Sequence, residues 1–157
     1  MILYHGSNTE IESINLEKCL PYKDFGKGFY LTDIENQALQ MAERVAKIRG
    51  GNPIINKYSF DEANLTNGTL DVKIFDRPSE EWASFVMENR NRKANHPIHS
   101  YDIVIGPVAN DTMATQFRIF EEGFIDIKEL SRRLEYKVFT KQLFFATEKA
   151  IKLLNKL

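Results

Sequence analysis

Asp24-Phe25-Gly26-Lys27-Gly28-Phe29-Tyr30-Leu31-Thr32 is the stretch from which the rest of the chain is read. Two glycines flank a lysine, and an apolar run carrying one tyrosine follows. Gly26 and Gly28 permit backbone angles, or a close backbone approach, that residues with side chains resist. Phe29 to Thr32 reads as a short strand of aromatic and β-branched character. A turn feeding a strand in this way suits the wall of a pocket, with Phe29 and Tyr30 on opposite faces. A lone G-K-G is an ordinary loop before an ordinary strand. Its weight changes because a second glycine turn, Tyr4-His5-Gly6-Ser7, stands at the start of the chain.

The 157 residues suit one domain, 1–157, long enough to bury a core without staples. The formal net charge of −1 provides no global field to recruit nucleic acid or anionic membrane. Cys19 is the only cysteine, which excludes an intramolecular disulfide, and the three histidines lack metal-ligand spacing, so no metal is expected. His96 and His99 lie in a loop-like composition and read as surface histidines. The apolar start, Met1 to Tyr4, is too short for a signal peptide. No run approaches the roughly 20 apolar residues that span a bilayer. A cytoplasmic setting without membrane contact is the expectation.

In chain order, Ile2 to Tyr4 reads as a brief strand broken at His5, and Glu10 to Leu16 as a helical turn or covering loop. Thr32-Asp33-Ile34-Glu35 has capping-box spacing for a helix from Asp33 to about Ile48. Its apolar stripe is Ile34, Ala38, Met41, Ala42, Val45 and Ile48. Ile54–Phe60 and Leu70–Phe75 read as strands. Pro78-Ser79-Glu80-Glu81 opens a helix to about Asn89, with acidic residues in its first turn and Trp82 in its core stripe, and a polar loop with Arg90, Arg92 and Lys93 follows. Tyr101 to Pro107 is a strand, Asn110 or Asp111 caps a helix to about Glu122, and Asp126 caps another to about Leu134. Tyr136–Phe139 reads as extended, Gln142–Ala146 as a strand, and Thr147 starts a last helix to Asn155. Strands between short helices, without regular βαβ alternation, predict an α+β fold with mainly antiparallel strands walling a cleft.

His5 offers one donor and one acceptor, Gly6 an open backbone, and Ser7 an adaptable hydroxyl. Together they suit a carboxamide and a sugar hydroxyl. Tyr4-His5-Gly6-Ser7 followed about twenty residues later by Phe25 to Leu31 resembles the NAD-binding half of ADP-ribosyltransferases, most of all the poly(ADP-ribose) polymerase branch. Tyr101-Asp102-Ile103-Val104-Ile105-Gly106-Pro107-Val108-Ala109-Asn110-Asp111 and Gln142-Leu143-Phe144-Phe145 resemble a family of small bacterial proteins of the same superfamily. The resemblance implies two small sheets forming an NAD cleft with flanking helices. It implies that His5 bonds a ribose hydroxyl of NAD, that the Gly6 backbone pairs with the nicotinamide carboxamide, and that Ser7 assists. Gly28 belongs to the same grip, and Tyr30 stacks on the nicotinamide ring. Asn110 and Asp111 either line the cleft or only cap a helix.

Two positions depart from the superfamily pattern. The glutamate it places at the start of a late strand, to stabilise an oxocarbenium-like transition state, aligns here with Gln142. A glutamine holds a hydroxyl but does not neutralise positive charge, a loss of about 3 kcal/mol by analogy with deleted oxyanion donors. An alternative alignment restores the carboxylate at Glu135. At Met41 the polymerases carry a second stacking aromatic, and the methionine reads either as ring-edge packing or as core.

The resemblance therefore implies an NAD-dependent transferase that passes one ADP-ribose unit to an unknown macromolecule, protein rather than nucleic acid. A toxin-like effector held by a neutralising partner protein follows by analogy alone. The alternative is a degenerate domain of the same fold that binds NAD, ADP-ribose or a partner without catalysis.

Overall fold

The computed structural model describes residues 1–135 and 139–157. The strands are Ile2–Ser7 (β1), Phe29–Leu31 (β2), Ile54–Ser59 (β3), Val72–Ile74 (β4), Ile103–Pro107 (β5), Lys141–Phe145 (β6) and Asn155–Lys156 (β7). The helices are Glu35–Arg49 (α1), Glu80–Arg90 (α2), Asp111–Glu121 (α3), Ile127–Leu134 (α4) and Glu148–Ile151 (α5). Short 3₁₀ turns cover Leu16–Lys18 and Glu62–Leu65. The strands form two small sheets, in the orders β1-β3-β7 and β2-β6-β5-β4. Pairing is antiparallel except between β4 and β5, where α2 provides the crossover that parallel neighbours need. The architecture is α+β.

Alternation along the strands divides the core in two. Leu143 and Phe145 of β6 face the space between the sheets, where Leu3, Phe29, Leu31, Tyr58 and Phe60 pack. Phe144, between them, faces the opposite way, onto Phe25, Trp82, Val86, Val104, Met113 and Leu130. Trp82 is fully buried, as its place in the α2 stripe predicts, and its indole nitrogen donates to the Pro107 carbonyl at 3.2 Å. Gly28 is a packing glycine: a Cβ there would strike the Phe144 ring and lie 2.7 Å from the Phe145 carbonyl oxygen.

Local signals locate the later helices well. Ser79, Asn110, Asp126 and Thr147 each accept a bond from the backbone amide three residues on. Elsewhere the structure departs from the sequence reading. β1 is not broken at His5 but runs through Ser7, because β3 pairs with every residue of it, His5 with Asn56 and Gly6 with Ile55. α1 begins at Glu35 without a capping box. The Thr32 hydroxyl accepts from the Ile34 amide and donates to Gln37, while Glu35 pairs with Lys57 at 2.7 Å. The face of α1 that packs on β1 and β3 is the small one, with Ala38 and Ala42 buried. That close approach turns Ile34, Met41 and Ile48 to the rim, where they stand exposed, so Met41 is not core. The last helix ends at Ile151, because Asn155 and Lys156 pair with β3 instead. The extended stretch expected at Tyr136–Phe139 falls largely outside the described residues.

Candidate functional site

β1 and β2 come from different sheets and meet at one isolated bridge. The Tyr4 amide donates to the Thr32 carbonyl at 2.8 Å and the Thr32 amide to the Tyr4 carbonyl at 3.0 Å. One step further on, the two strands no longer pair. Strand alternation turns the Gly6 amide and carbonyl to the same side as those of Tyr4, opposite Tyr30. The result is a fork with a pair of backbone hydrogen-bonding groups in its crotch.

His5 stands at that fork. Its Nδ1 lies 2.7 Å from the Tyr30 carbonyl oxygen, and its ring stacks on Phe29 with centroids 4.3 Å apart. A carbonyl only accepts, so Nδ1 carries the proton and Nε2 is left as an acceptor. Burial pushes the imidazole below its ordinary range and outweighs the opposing pull of the Tyr30 carbonyl. His5 is therefore a neutral, oriented acceptor at pH 7.

Tyr30 is fixed at both ends. Its hydroxyl donates to the Gly26 carbonyl at 2.9 Å and accepts from the Phe25 amide at 3.0 Å, and its ring packs on Phe144 at 4.8 Å. Burial holds the hydroxyl well above the ordinary phenol range, so it does not ionise. Ser7 bonds Thr9, and the buried Asn56 ties the next loop down by accepting from the Ile11 amide and donating to the Thr9 carbonyl. His5, Gly6, Ser7 and the Tyr30 backbone are thus brought together, while the Tyr30 ring lies on the face of β2 opposite Phe29.

Gln142 lies on the interior strand β6, two residues from Phe144, the cross-strand partner of Tyr30. Its amide nitrogen donates to Asp24 Oδ2 at 2.9 Å and to the Pro107 carbonyl at 3.3 Å. With both donors engaged, Oε1 is the other end of the side chain, and no donor among the described residues reaches it. Glu135 sits exposed at the C-terminal end of α4 rather than on a described strand. Asn110 and Asp111 open α3, both exposed, and the Asn110 side chain spends its oxygen on the Met113 amide.

Three residues escaped the sequence reading. Asp24 is 8% exposed and holds Arg90, Gln142 and the Ala109 amide at once. Arg90, expected in a solvated loop, instead ends α2 and bonds Asp24 through Nε at 2.8 Å. His99, expected at the surface, donates from Nε2 to the Phe25 carbonyl at 2.7 Å and accepts at Nδ1 from the Tyr101 amide at 3.1 Å. No local signal marks these roles, since Arg90 lies 66 residues from Asp24 and His99 74 from Phe25.

A separate cavity of about 510 Å³ opens between residues 21–27 and 89–101. Phe25, Tyr101 and Phe144 form its apolar walls, with Asn89 and His99 among its polar ones, and His5, Gly6 and Gln142 do not line it.

Two half-buried histidines predict an acid-side loss of stability. His99, like His5, is pushed down by burial against the pull of its carbonyl partner. Unfolded chains then bind more protons than folded ones below about pH 6.5, so stability rises with pH through that window. Urea unfolding between pH 8 and pH 5 is expected to be level above pH 7 and to weaken steadily as pH falls below 6.5. The His5→Gln/His99→Gln variant should lose most of that slope. A wild-type profile flat to pH 5 would refute the assignment of neutral imidazoles.

No helix among the described residues is long and apolar enough to cross a membrane. The curated proteins and the solved structures contain no match to the chain. The family described as "Protein of unknown function (DUF3990)" matches residues 1–155. With the match running over all but the last two residues, the chain belongs to that family.

Proposed function

We propose that this chain is an NAD-dependent ADP-ribosyltransferase with an ADP-ribosyltransferase-like fold, moving one ADP-ribose unit to a macromolecule, protein rather than nucleic acid. The observation that carries the reading is the fork itself. The outward Gly6 amide and carbonyl, the neutral His5 and the anchored Tyr30 meet where two sheets part. A nicotinamide carboxamide needs one donor and one acceptor in a line, which the Gly6 backbone offers. Nε2 of His5 accepts from a ribose hydroxyl, and the Tyr30 ring forms a wall for the nicotinamide. The exposed Met41 on α1 is available to the opposite ring edge.

In this reading the C1′–N bond of NAD breaks and nicotinamide leaves with the electron pair. An acceptor nucleophile then forms a bond to C1′ and gives up its proton. Gln142 orients a ribose hydroxyl through Oε1 without supplying charge, which accords with slow, single-unit transfer. The same observation favours a second reading, a domain that binds NAD or ADP-ribose without turnover. A toxin-like role with a neutralising partner, in the cytoplasm, belongs to the proposal by analogy only.

The test is nicotinamide release from NAD by purified protein, with binding followed by calorimetry. His5→Ala is expected to lower release by about 100-fold or more while the protein stays folded by circular dichroism, as for loss of one fixed polar group at a reacting centre. Of Gln142→Ala and Glu135→Ala, the one that falls further marks the third position. Binding without release would leave the second reading standing. Absence of both would end the proposal.

A further inference from the structure

The 510 Å³ cavity between residues 21–27 and 89–101 carries a second site. Its lining separates it from the fork: none of His5, Gly6, Ser7, Tyr30 or Gln142 borders it. Phe144 and Ala146 line it, and their side chains point to the face of β6 opposite that of Phe145, the face on which Phe29 lies with His5 stacked against it. Its volume lies within the range of small-molecule pockets.

The walls are aromatic and their orientation is fixed. His99 is pinned by bonds to the Phe25 carbonyl and the Tyr101 amide, and its ring lies 5.0 Å from Phe85 and 5.4 Å from Tyr101. Tyr22, at the opposite wall, is held at φ 60°, a left-handed conformation rare for a side chain of its size, with the Arg92 guanidinium 5.6 Å over its ring. Flat rings favour offset or edge-on contact with such walls.

One polar atom of a buried residue opens into this space. Asn89 is 5% exposed. Its side-chain nitrogen donates to the Phe85 carbonyl at 2.7 Å, which fixes Oδ1 as the other end of the amide. Among the described residues no donor reaches Oδ1. A Cβ on Gly26 would stand 3.1 Å from it, and glycine, held there at φ 101°, leaves that approach clear. An acceptor that opens into the cavity and is used by no protein donor among the described residues is available to a ligand N–H.

We propose that this cavity binds a planar heteroaromatic ring with an amino edge, of aminopurine or aminopyrimidine type, whose amino group donates to Asn89 Oδ1. The site stands on its own observations and does not require the function proposed for the fork. The segment that walls it also holds Tyr30, through the Phe25 amide and the Gly26 carbonyl, so occupancy stiffens one wall of the fork.

The probes are 9-methyladenine, which carries the amino group, and 9-methylpurine, which has no N–H donor. Each is titrated into the ¹⁵N-labelled full chain by NMR. 9-Methyladenine is expected to bind about tenfold more tightly, the worth of one buried hydrogen bond. It should shift the Asn89 side-chain amide and the Gly26 and Phe25 backbone amides while leaving Gly6 unmoved. Asn89→Leu should bring the two probes to equal affinity. Equal affinity in the wild type, no binding of either probe, or shifts centred on Gly6 would each overturn the proposal, and none of these readings depends on NAD turnover or on the variant folding.

Discussion

Asp24→Ala is expected to destabilise the protein by about 3 kcal/mol, at the lower end of what breaking a buried ion pair costs. Asp24 sits with one oxygen on Arg90 and the other shared between the Ala109 amide and Gln142. Those partners belong to the end of α2, the segment joining β5 to α3, and the start of β6. The carboxylate therefore fixes the D-F-G-K-G turn to three elements at once. Truncation leaves two N–H donors and a guanidinium without their acceptor in a mostly closed place. The Arg90 side chain is 36% exposed and recovers part of its solvation, which keeps the figure from the top of the range. Urea unfolding of Asp24→Ala beside Arg90→Ala measures it. The aspartate variant should be the worse of the two, because it strands more groups. A cost below about 1 kcal/mol would place Asp24 with ordinary surface ion pairs and refute its anchoring role.

The parts of this fold that were legible in the sequence depend on near neighbours. A cap and the amide it serves are three residues apart, so Asn110, Asp126 and Thr147 announce their helices directly. Strands of β-branched and aromatic residues, such as Ile103–Pro107, are equally local. What was hidden depends on distant partners. The side that α1 buries is decided by how near β1 approaches: helical periodicity gives one stripe, Ile34, Ala38, Met41, Ala42, Val45 and Ile48, and does not reveal that its small members Ala38 and Ala42 are buried while Ile34, Met41 and Ile48 are exposed. The ending at Asn155 depends on an open edge of β3 that no local pattern reveals. At the candidate site, His5, Gly6 and Tyr30 were readable because two short motifs carry them. Their shared geometry, an imidazole on a carbonyl 25 residues away, was not. Asp24, Arg90 and His99 were missed for the same reason: each acts through a partner on another element.

Gly6→Ala is expected to cost about 3 kcal/mol, the upper end of ordinary overpacking. A Cβ at Gly6 would fall far inside contact with the Ala38 carbonyl oxygen and 2.7 Å from the Ala42 nitrogen. Both are backbone atoms of α1, so no rotamer change relieves the collision and the helix itself must move. Gly50 provides the contrast. It lies at φ 84° and ψ 179° with nothing near its missing Cβ, so Gly50→Ala carries only backbone strain, about 2 kcal/mol. Pairing the change with Ala38→Gly should restore nothing, since trimming a side chain leaves the Ala38 carbonyl in place. Urea unfolding of the three variants tests this, and rescue by Ala38→Gly, or a Gly6→Ala cost no larger than that of Gly50→Ala, would refute it. The same displacement carries a functional consequence. Gly6 presents its amide and carbonyl into the fork while its Cα lies against the helix that bears Met41. Pushing α1 outward therefore alters the spacing between the carboxamide-binding edge and the rim of the cleft. Under the proposed function, Gly6→Ala should lose nicotinamide release even at temperatures where it remains folded. The glycine is demanded twice, by the packing of a helix on one face and by the opening of the fork along the strand edge, and a motif with both demands tolerates no other residue there.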